Sequence, residues 1–249
     1  MNYPQLSVQL YTVREAMQDD LAGTLTRIAD IGFDQVEPYN FPAFPELGAA
    51  LKAASLTAPT THAHFVGIPD DELAALFEAA KELGINRVID PHVPAERWQT
   101  AQSVGEIAAQ LNAAAAIAAE HGVTIGYHNH AHELESIIDG RTALEVFTDS
   151  LSPEVKLEVD TYWAFVGGQD PVALLRRLGD RVVAIHVKDG AGTAETKDQT
   201  AVGSGTLPIR EIIEAAPAAL RVIELDDSRD DRFQAIADSF AYLTKEKLA

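Results

Sequence analysis

Val123-Thr124-Ile125-Gly126-Tyr127-His128-Asn129-His130-Ala131-His132-Glu133 decides how the rest of this 249-residue chain is read. The first residues form a short apolar run, the length of a buried strand. The last carry three histidines and a carboxylate within six positions. Upstream, residues 95–121 are Ala-rich, with Trp98, Val104, Ile107, Leu111 and Ile117 near helical spacing, and Gly122 stops that segment. The stretch is therefore a helix, a strand and an ionisable strand end in succession.

The same unit recurs on both sides. Strands are predicted at 6–11, 35–39, 57–65, 87–90, 155–160, 182–187 and 221–225. Helices are predicted at 19–31, 42–54, 69–83, 141–150, 170–178, 209–216 and 231–245, several closed by glycine. With the quoted stretch this makes eight strand-helix units, unbroken by a linker or a change of composition. Alternating β and α over about 250 residues is the pattern of a single (β/α)8 TIM barrel, an α/β fold spanning residues 1–249. A doubly wound open sheet is the alternative. It usually carries a glycine-rich phosphate turn after the first strand, where this chain has Thr12-Val13-Arg14-Glu15.

Composition narrows the functional classes. Cysteine is absent, which excludes thiolate-held metals and nucleophilic cysteines. Nineteen basic against 38 acidic residues give a formal charge of −19. Nucleic-acid binding needs a basic surface, so no nucleic-acid partner is expected. The same acidity favours a neutral sugar over a doubly charged phosphate ester. No apolar run approaches the roughly 18 residues of a membrane span, and Met1 leads into Pro4-Gln5-Leu6 without a signal-like segment. A cytoplasmic enzyme with no membrane partner is the expectation.

In a barrel of this kind the active site sits at the C-terminal strand ends. Those ends carry Gln9 and Tyr11, Glu37, His62 and His64, Asp90 and His92, His128 to Glu133, Asp160, His186 with Lys188, and Glu224. Strand side chains alternate in direction, so His62/His64 and His128/His130 each share a face. Asp160 reads equally as a helix cap, and His186 as a hydrogen-bonded core histidine. Glu224, ending an apolar strand, needs a partner to offset its desolvation. Carboxylates with one imidazole form an oxygen-rich site suited to one divalent ion, Mn2+, Mg2+ or Co2+, with Zn2+ possible. Such an ion, chelated by a sugar carbonyl and a neighbouring hydroxyl, would stabilise an enediolate formed when a base removes the α proton.

The motifs resemble the xylose isomerase-like barrel superfamily of sugar phosphate isomerases and epimerases. The matching pieces are Val8-Gln9-Leu10-Tyr11-Thr12-Val13-Arg14, Gly126 to Leu134, Glu158-Val159-Asp160-Thr161-Tyr162-Trp163, His186-Val187-Lys188-Asp189 and Val222-Ile223-Glu224. The resemblance implies a metal, commonly manganese, held by Glu133, Asp160, His186 and Glu224. In the sugar epimerases the fifth strand ends in Glu, where this chain has His128. Either His128 takes that role or Glu133 reaches back from the loop. Glu133 is favoured by relatives with a His-x-x-Glu arrangement, which are lyases acting on 3-keto-glycosides. The resemblance makes His130 the base and assigns catalytic roles to Glu133 and Glu224. Gln9, Tyr11, His64, His128, Trp163 and Lys188 become candidate substrate contacts.

The leading expectation is a metal-dependent sugar isomerase or epimerase. The alternative is a β-eliminating lyase on 3-keto-glycosides, or an inosose dehydratase-like reaction, at the same site. A DNA-repair endonuclease on the same barrel is disfavoured by charge. A non-catalytic subunit is disfavoured by candidates at all four ligand positions. A homo-oligomer or an accessory subunit is compatible with the sequence. The polar, glycine-containing loop 189–206 is expected to be a mobile lid.

Overall fold

The computed structural model describes residues 6–249; the reading of a missing leader rests on residues 1–5 and lies outside them. Seven parallel strands form one sheet: β1 (Leu6–Val8), β2 (Thr60–His62), β3 (Arg87–Asp90), β4 (Thr124–His128), β5 (Lys156–Asp160), β6 (Val182–Val187) and β7 (Leu220–Ile223). Their order is β1-β7-β6-β5-β4-β3-β2, so from β2 to β7 each neighbours its successor in the chain, β1 meets the last, and β1 and β2 are the two edges. Residues 35–39 bridge the two edges. Parallel bridges join Gln9 to Glu37, Gln35 to Thr57 and Tyr39 to His62. The backbone bonds Glu37 N to Val8 O (2.8 Å) and His62 N to Pro38 O (2.8 Å) complete the ring. Closure rules out the open-sheet alternative.

The strand predicted at 57–65 shortens to Thr60–His62. Two further predicted strands are shorter than their sequence pattern, each for a local reason. Pro38 has no N–H to give, so residues 35–39 make isolated bridges instead of a ladder. The first strand ends at Val8 because the Gln9 side chain accepts from Tyr11 N at 3.1 Å, capping a 3-10 turn at Leu10–Val13. The Ala-rich segment divides similarly. A 3-10 turn at Ala95–Trp98 precedes α1 (Ala101–Glu120), which Thr100 caps by accepting from Ser103 N. Val104, Ile107, Ala108, Leu111, Ala114 and Ala118 form the buried stripe of α1. Among the described residues no helix is long and apolar enough to cross a membrane.

The register positions the site. His128 lies beside Glu158, Asp160 beside His186 and Gln9 beside Glu37. Side chains repeat every second residue along a strand, so Glu158 and Asp160 share one face, as do His186 and Lys188.

The loop expected to be a mobile lid is tied to the barrel. Asp189–Gly190 pairs antiparallel with Gln199–Thr200. The buried Asp189 carboxylate accepts from Gly190 N and Leu207 N on one oxygen and from Gly203 N and Gly205 N on the other, at 2.9–3.1 Å. A Cβ on Gly205 would meet Asp189 Oδ1 at 2.1 Å, so only glycine lets the chain pass. Val202 N also donates to Ser239 Oγ of the last helix at 2.9 Å. Asp189→Ala strips four N–H groups of their acceptor and is expected to cost on the order of 3 kcal/mol. Urea unfolding measures that loss, and limited proteolysis should cut first within 189–206; an unchanged midpoint and cleavage pattern would refute the anchoring role.

Candidate active site

A cavity of about 330 Å³ opens at the C-terminal strand ends. Its lining includes Tyr11, Tyr39, His62, His64, His92, His128, His130, Glu224 and Asp226, and contains neither lysine nor arginine. Beneath it two groups of side chains share His186.

The outer group is Asp160, His186 and Glu224, fully or nearly fully buried, with ligand atoms within 4.8 Å of one another. Asp160 does both things its position suggested. Its Oδ1 accepts from Trp163 N at 2.8 Å and caps the helix Thr161–Val166. Its Oδ2 turns inward, is fully buried and has Lys188 Nζ at 2.9 Å as its charged partner. Burial pushes the Asp160 carboxyl up to about 6 despite Lys188. His186 Nδ1 lies 2.7 Å from Glu224 Oε2. His128 Nε2, 3.7 Å from Asp160 Oδ2, adds a second imidazole to this side. Lys188 Nζ stands among three carboxylates: Asp160 Oδ2 at 2.9 Å, Glu224 Oε2 at 2.7 Å and Asp226 Oδ2 at 2.7 Å. Burial would lower the Lys188 pKa, but these three anions hold it well above the ordinary value. Lys188 and a protonated His186 against the carboxylates of Asp160, Glu224 and Asp226 leave the group one cation short, which a dry site does not hold unpaired. Two imidazole nitrogens and two carboxylate oxygens therefore fit a divalent cation here.

The inner group is His62, His128, Glu158 and His186, with Glu37 beside it. Glu158 Oε2 lies 2.5 Å from His62 Nε2, 3.1 Å from His128 Nδ1 and 3.1 Å from His186 Nε2. Glu37 Oε1 lies 2.8 Å from His186 Nε2 and accepts from Gln9 Nε2 at 2.8 Å. Burial works against a charged His186, yet Glu158 and Glu224 hold its pKa well above the ordinary imidazole value. Burial, reinforced by His186, pushes His128 down to about 3.

His130 faces the cavity with a buried Nδ1 that has no hydrogen-bond partner. Burial first, then competition for positive charge with His128 and Lys188, keep its pKa well below the ordinary value, so the ring is neutral. Glu133, expected as a ligand, stands behind this histidine instead. Its Oε2 accepts from His130 N at 2.8 Å and its Oε1 from Tyr127 OH at 2.7 Å, so the carboxylate fixes the turn that presents His130. Neither metal-compatible group includes it. His64, largely exposed, has its pKa raised by the Asp90 carboxylate, 3.7 Å from Nδ1.

Of the other expected substrate contacts, Tyr11 reaches the cavity and is 40% exposed, and His128 belongs to the inner group while also lining the cavity. Gln9 is fully buried with both ends of its amide engaged. Lys188 is spent on its three carboxylates. Trp163 packs beside His130 at 6.2 Å between ring centroids and donates Nε1–H to Asp226 at 3.2 Å. Glu158 and Asp226 escaped the sequence reading. Each is two residues from a residue that did not, Asp160 and Glu224, and the period of two was the available signal.

Residues 25–245 match the family model described as xylose isomerase-like TIM barrel. The chain belongs to that family. A xylose isomerase-like barrel from Parabacteroides distasonis, named a sugar phosphate isomerase/epimerase, superposes with a TM-score of 0.84 at 20% identity over 98% of this chain and 95% of that one. The IolI protein, solved with a bound zinc atom, gives a TM-score of 0.68 at 16% identity over 98% and 97% of the two chains. The inosose dehydratase of Geobacillus kaustophilus is 33% identical over 126 residues; that match takes in 47% of this chain and 40% of the relative's length. Solved structures of this family include sugar isomerases, epimerases and dehydratases.

Burial pushes the Glu133 carboxyl up to about 7. Folded protein then keeps this proton where the unfolded chain has released it, so the residue destabilises increasingly as pH rises from about 4.5 through about 7, by up to about 3 kcal/mol. Glu133→Gln should remove that dependence, and its stability relative to wild type should grow between about pH 5 and about pH 8. Urea unfolding at both pH values measures it; parallel curves would contradict the shift.

Proposed function

We propose that this barrel is a divalent-metal-dependent enzyme that removes the proton next to the carbonyl of an unphosphorylated keto-sugar or keto-polyol. The observation that carries the reading is the neutral His130, whose Nδ1 lacks a protein partner at a cavity floored by a cation-deficient cluster. A general base needs an uncommitted lone pair and a pKa that leaves it unprotonated, and the ring of His130, which lines the cavity, has both. His128, Asp160, His186 and Glu224 would hold the ion, which when bound acts as a Lewis acid towards the carbonyl and the negative charge that develops on it. The donor set suits Mn2+, Co2+ or Zn2+ better than Mg2+, which prefers oxygen ligands. The zinc in the IolI structure supports a divalent ion without deciding which. A cavity lined without lysine or arginine favours a neutral substrate.

Isomerisation, epimerisation and β-elimination share this first step. The two cavity histidines favour elimination. His130 is held neutral and His64 is shifted towards its protonated form, and environments that push a pair apart in this way sort base from acid. His130 would take the α proton, and His64 would deliver one to the departing β oxygen. Water or an alcohol leaves as the carbon-carbon double bond forms. The inosose dehydratase relative supports this outcome, and the isomerase/epimerase relatives support the alternative.

Metal-loaded protein incubated in D2O with an inosose and with a 3-keto-glycoside distinguishes them. Elimination gives an enone absorbing in the ultraviolet; epimerisation or isomerisation gives deuterium-labelled saturated sugar by NMR. His130→Asn should lower kcat by at least about 100-fold with metal content retained. A wild-type rate in that variant would remove His130 from the chemistry.

A further inference from the structure

We infer that Glu158, assisted by Glu37, is a positioning residue that fixes both imidazole ligands of the proposed metal site, an inference that rests on the metal reading above. His128 and His186 each divide their nitrogens between the two groups. His128 turns Nε2 towards Asp160 and Nδ1 to Glu158 Oε2 at 3.1 Å. His186 turns Nδ1 to Glu224 at 2.7 Å and Nε2 to Glu37 Oε1 at 2.8 Å and Glu158 Oε2 at 3.1 Å. The rings lie 4.4 Å apart and tilted by 59°.

A neutral imidazole has one N–H and one lone pair, and a carboxylate only accepts. With Glu158 on the inner nitrogens, both of those nitrogens keep their N–H. His128 thereby turns its lone pair to the side of Asp160, and His186, which also donates Nδ1–H to Glu224 in the metal-free chain, would give up that outer proton to a bound ion. One buried oxygen thus selects the tautomer and aims the plane of two ligands from different strands. Backbone register makes this possible. Glu158 stands beside His128 on β4 and beside Ala184 on β6, and Ala184, two residues before His186, places only a methyl there. Outer partners of this kind typically change metal affinity by about 10- to 100-fold when removed. The inner group has the atom types of a metal site itself, and a second ion there would make Glu158 a ligand. A single outer ion already uses one nitrogen of each ring and leaves the other as the donor Glu158 needs.

The test is Co2+ titration of the full metal-free chain at fixed pH, read by visible absorption and by ions bound per chain. Wild type should bind one ion. Glu158→Gln should bind one about 10- to 100-fold more weakly, with an altered absorption band at saturation, which a loss of stability alone would not produce. Glu133→Gln, an equally buried carboxylate without contact to these rings, should keep the wild-type affinity and band. A Glu158→Gln variant with wild-type affinity and band overturns the inference. So does a wild type that binds two ions and falls to one in the variant. If Glu158→Gln does not fold, Glu37→Gln must weaken binding through His186 alone, and wild-type behaviour there overturns the inference equally. Wild type that binds no Co2+ overturns the metal reading itself, a separate result.

Discussion

His186 has a carboxylate on each side of its ring, and the buried end of the barrel is arranged about that fact. Glu224 stands at Nδ1, and Glu37 with Glu158 at Nε2. Groups from four separate segments meet at a side chain with no solvent exposure. Removing any one partner would leave a charge in a dry interior, where an unpaired ion costs several kcal/mol. The cluster therefore constrains the register of the strands as well as holding its own members. Lys188, two residues on, plays the matching part for Asp160, Glu224 and Asp226.

The closure of the barrel follows from the same neighbourhood. Residues 35–39 are too interrupted by Pro38 to form a full ladder, yet they carry Glu37 to His186 and accept the β1 and β2 edges through a few bridges. A weak strand with a strongly held side chain replaces a strong strand there. The loop 189–206 shows a comparable economy, since one carboxylate, Asp189, binds four of its backbone donors. The loop is thereby fixed by hydrogen bonds as well as by the buried Val202.

At the strand-five position this chain carries His128. A histidine there brings a second imidazole, and with it a demand for an acceptor on the far nitrogen, which Glu158 meets. Glu133 is released from any place in the cluster and instead braces the turn of His130 from behind. His128 and His130 thus come from one stretch, 127–133, but take opposite arrangements: His128 is turned into the barrel among carboxylates, and His130 lines the cavity with Nδ1 unpartnered.

That stretch and its repeats were enough to determine the barrel, the end of it that carries chemistry, and Asp160, His186 and Glu224 as one group. These depend on periodicity and on the phase of ionisable residues along each strand, which are local properties of the sequence. The partners of Glu133, the saturation of Gln9 and Lys188, the anchoring of the loop and the role of Glu158 were decided only by tertiary structure. Each depends on which donors from distant strands reach a given carboxylate first. Between residues such as Glu158 and His62, 96 positions apart, that choice is set by strand register and barrel closure. Spacing along the chain carries no record of it.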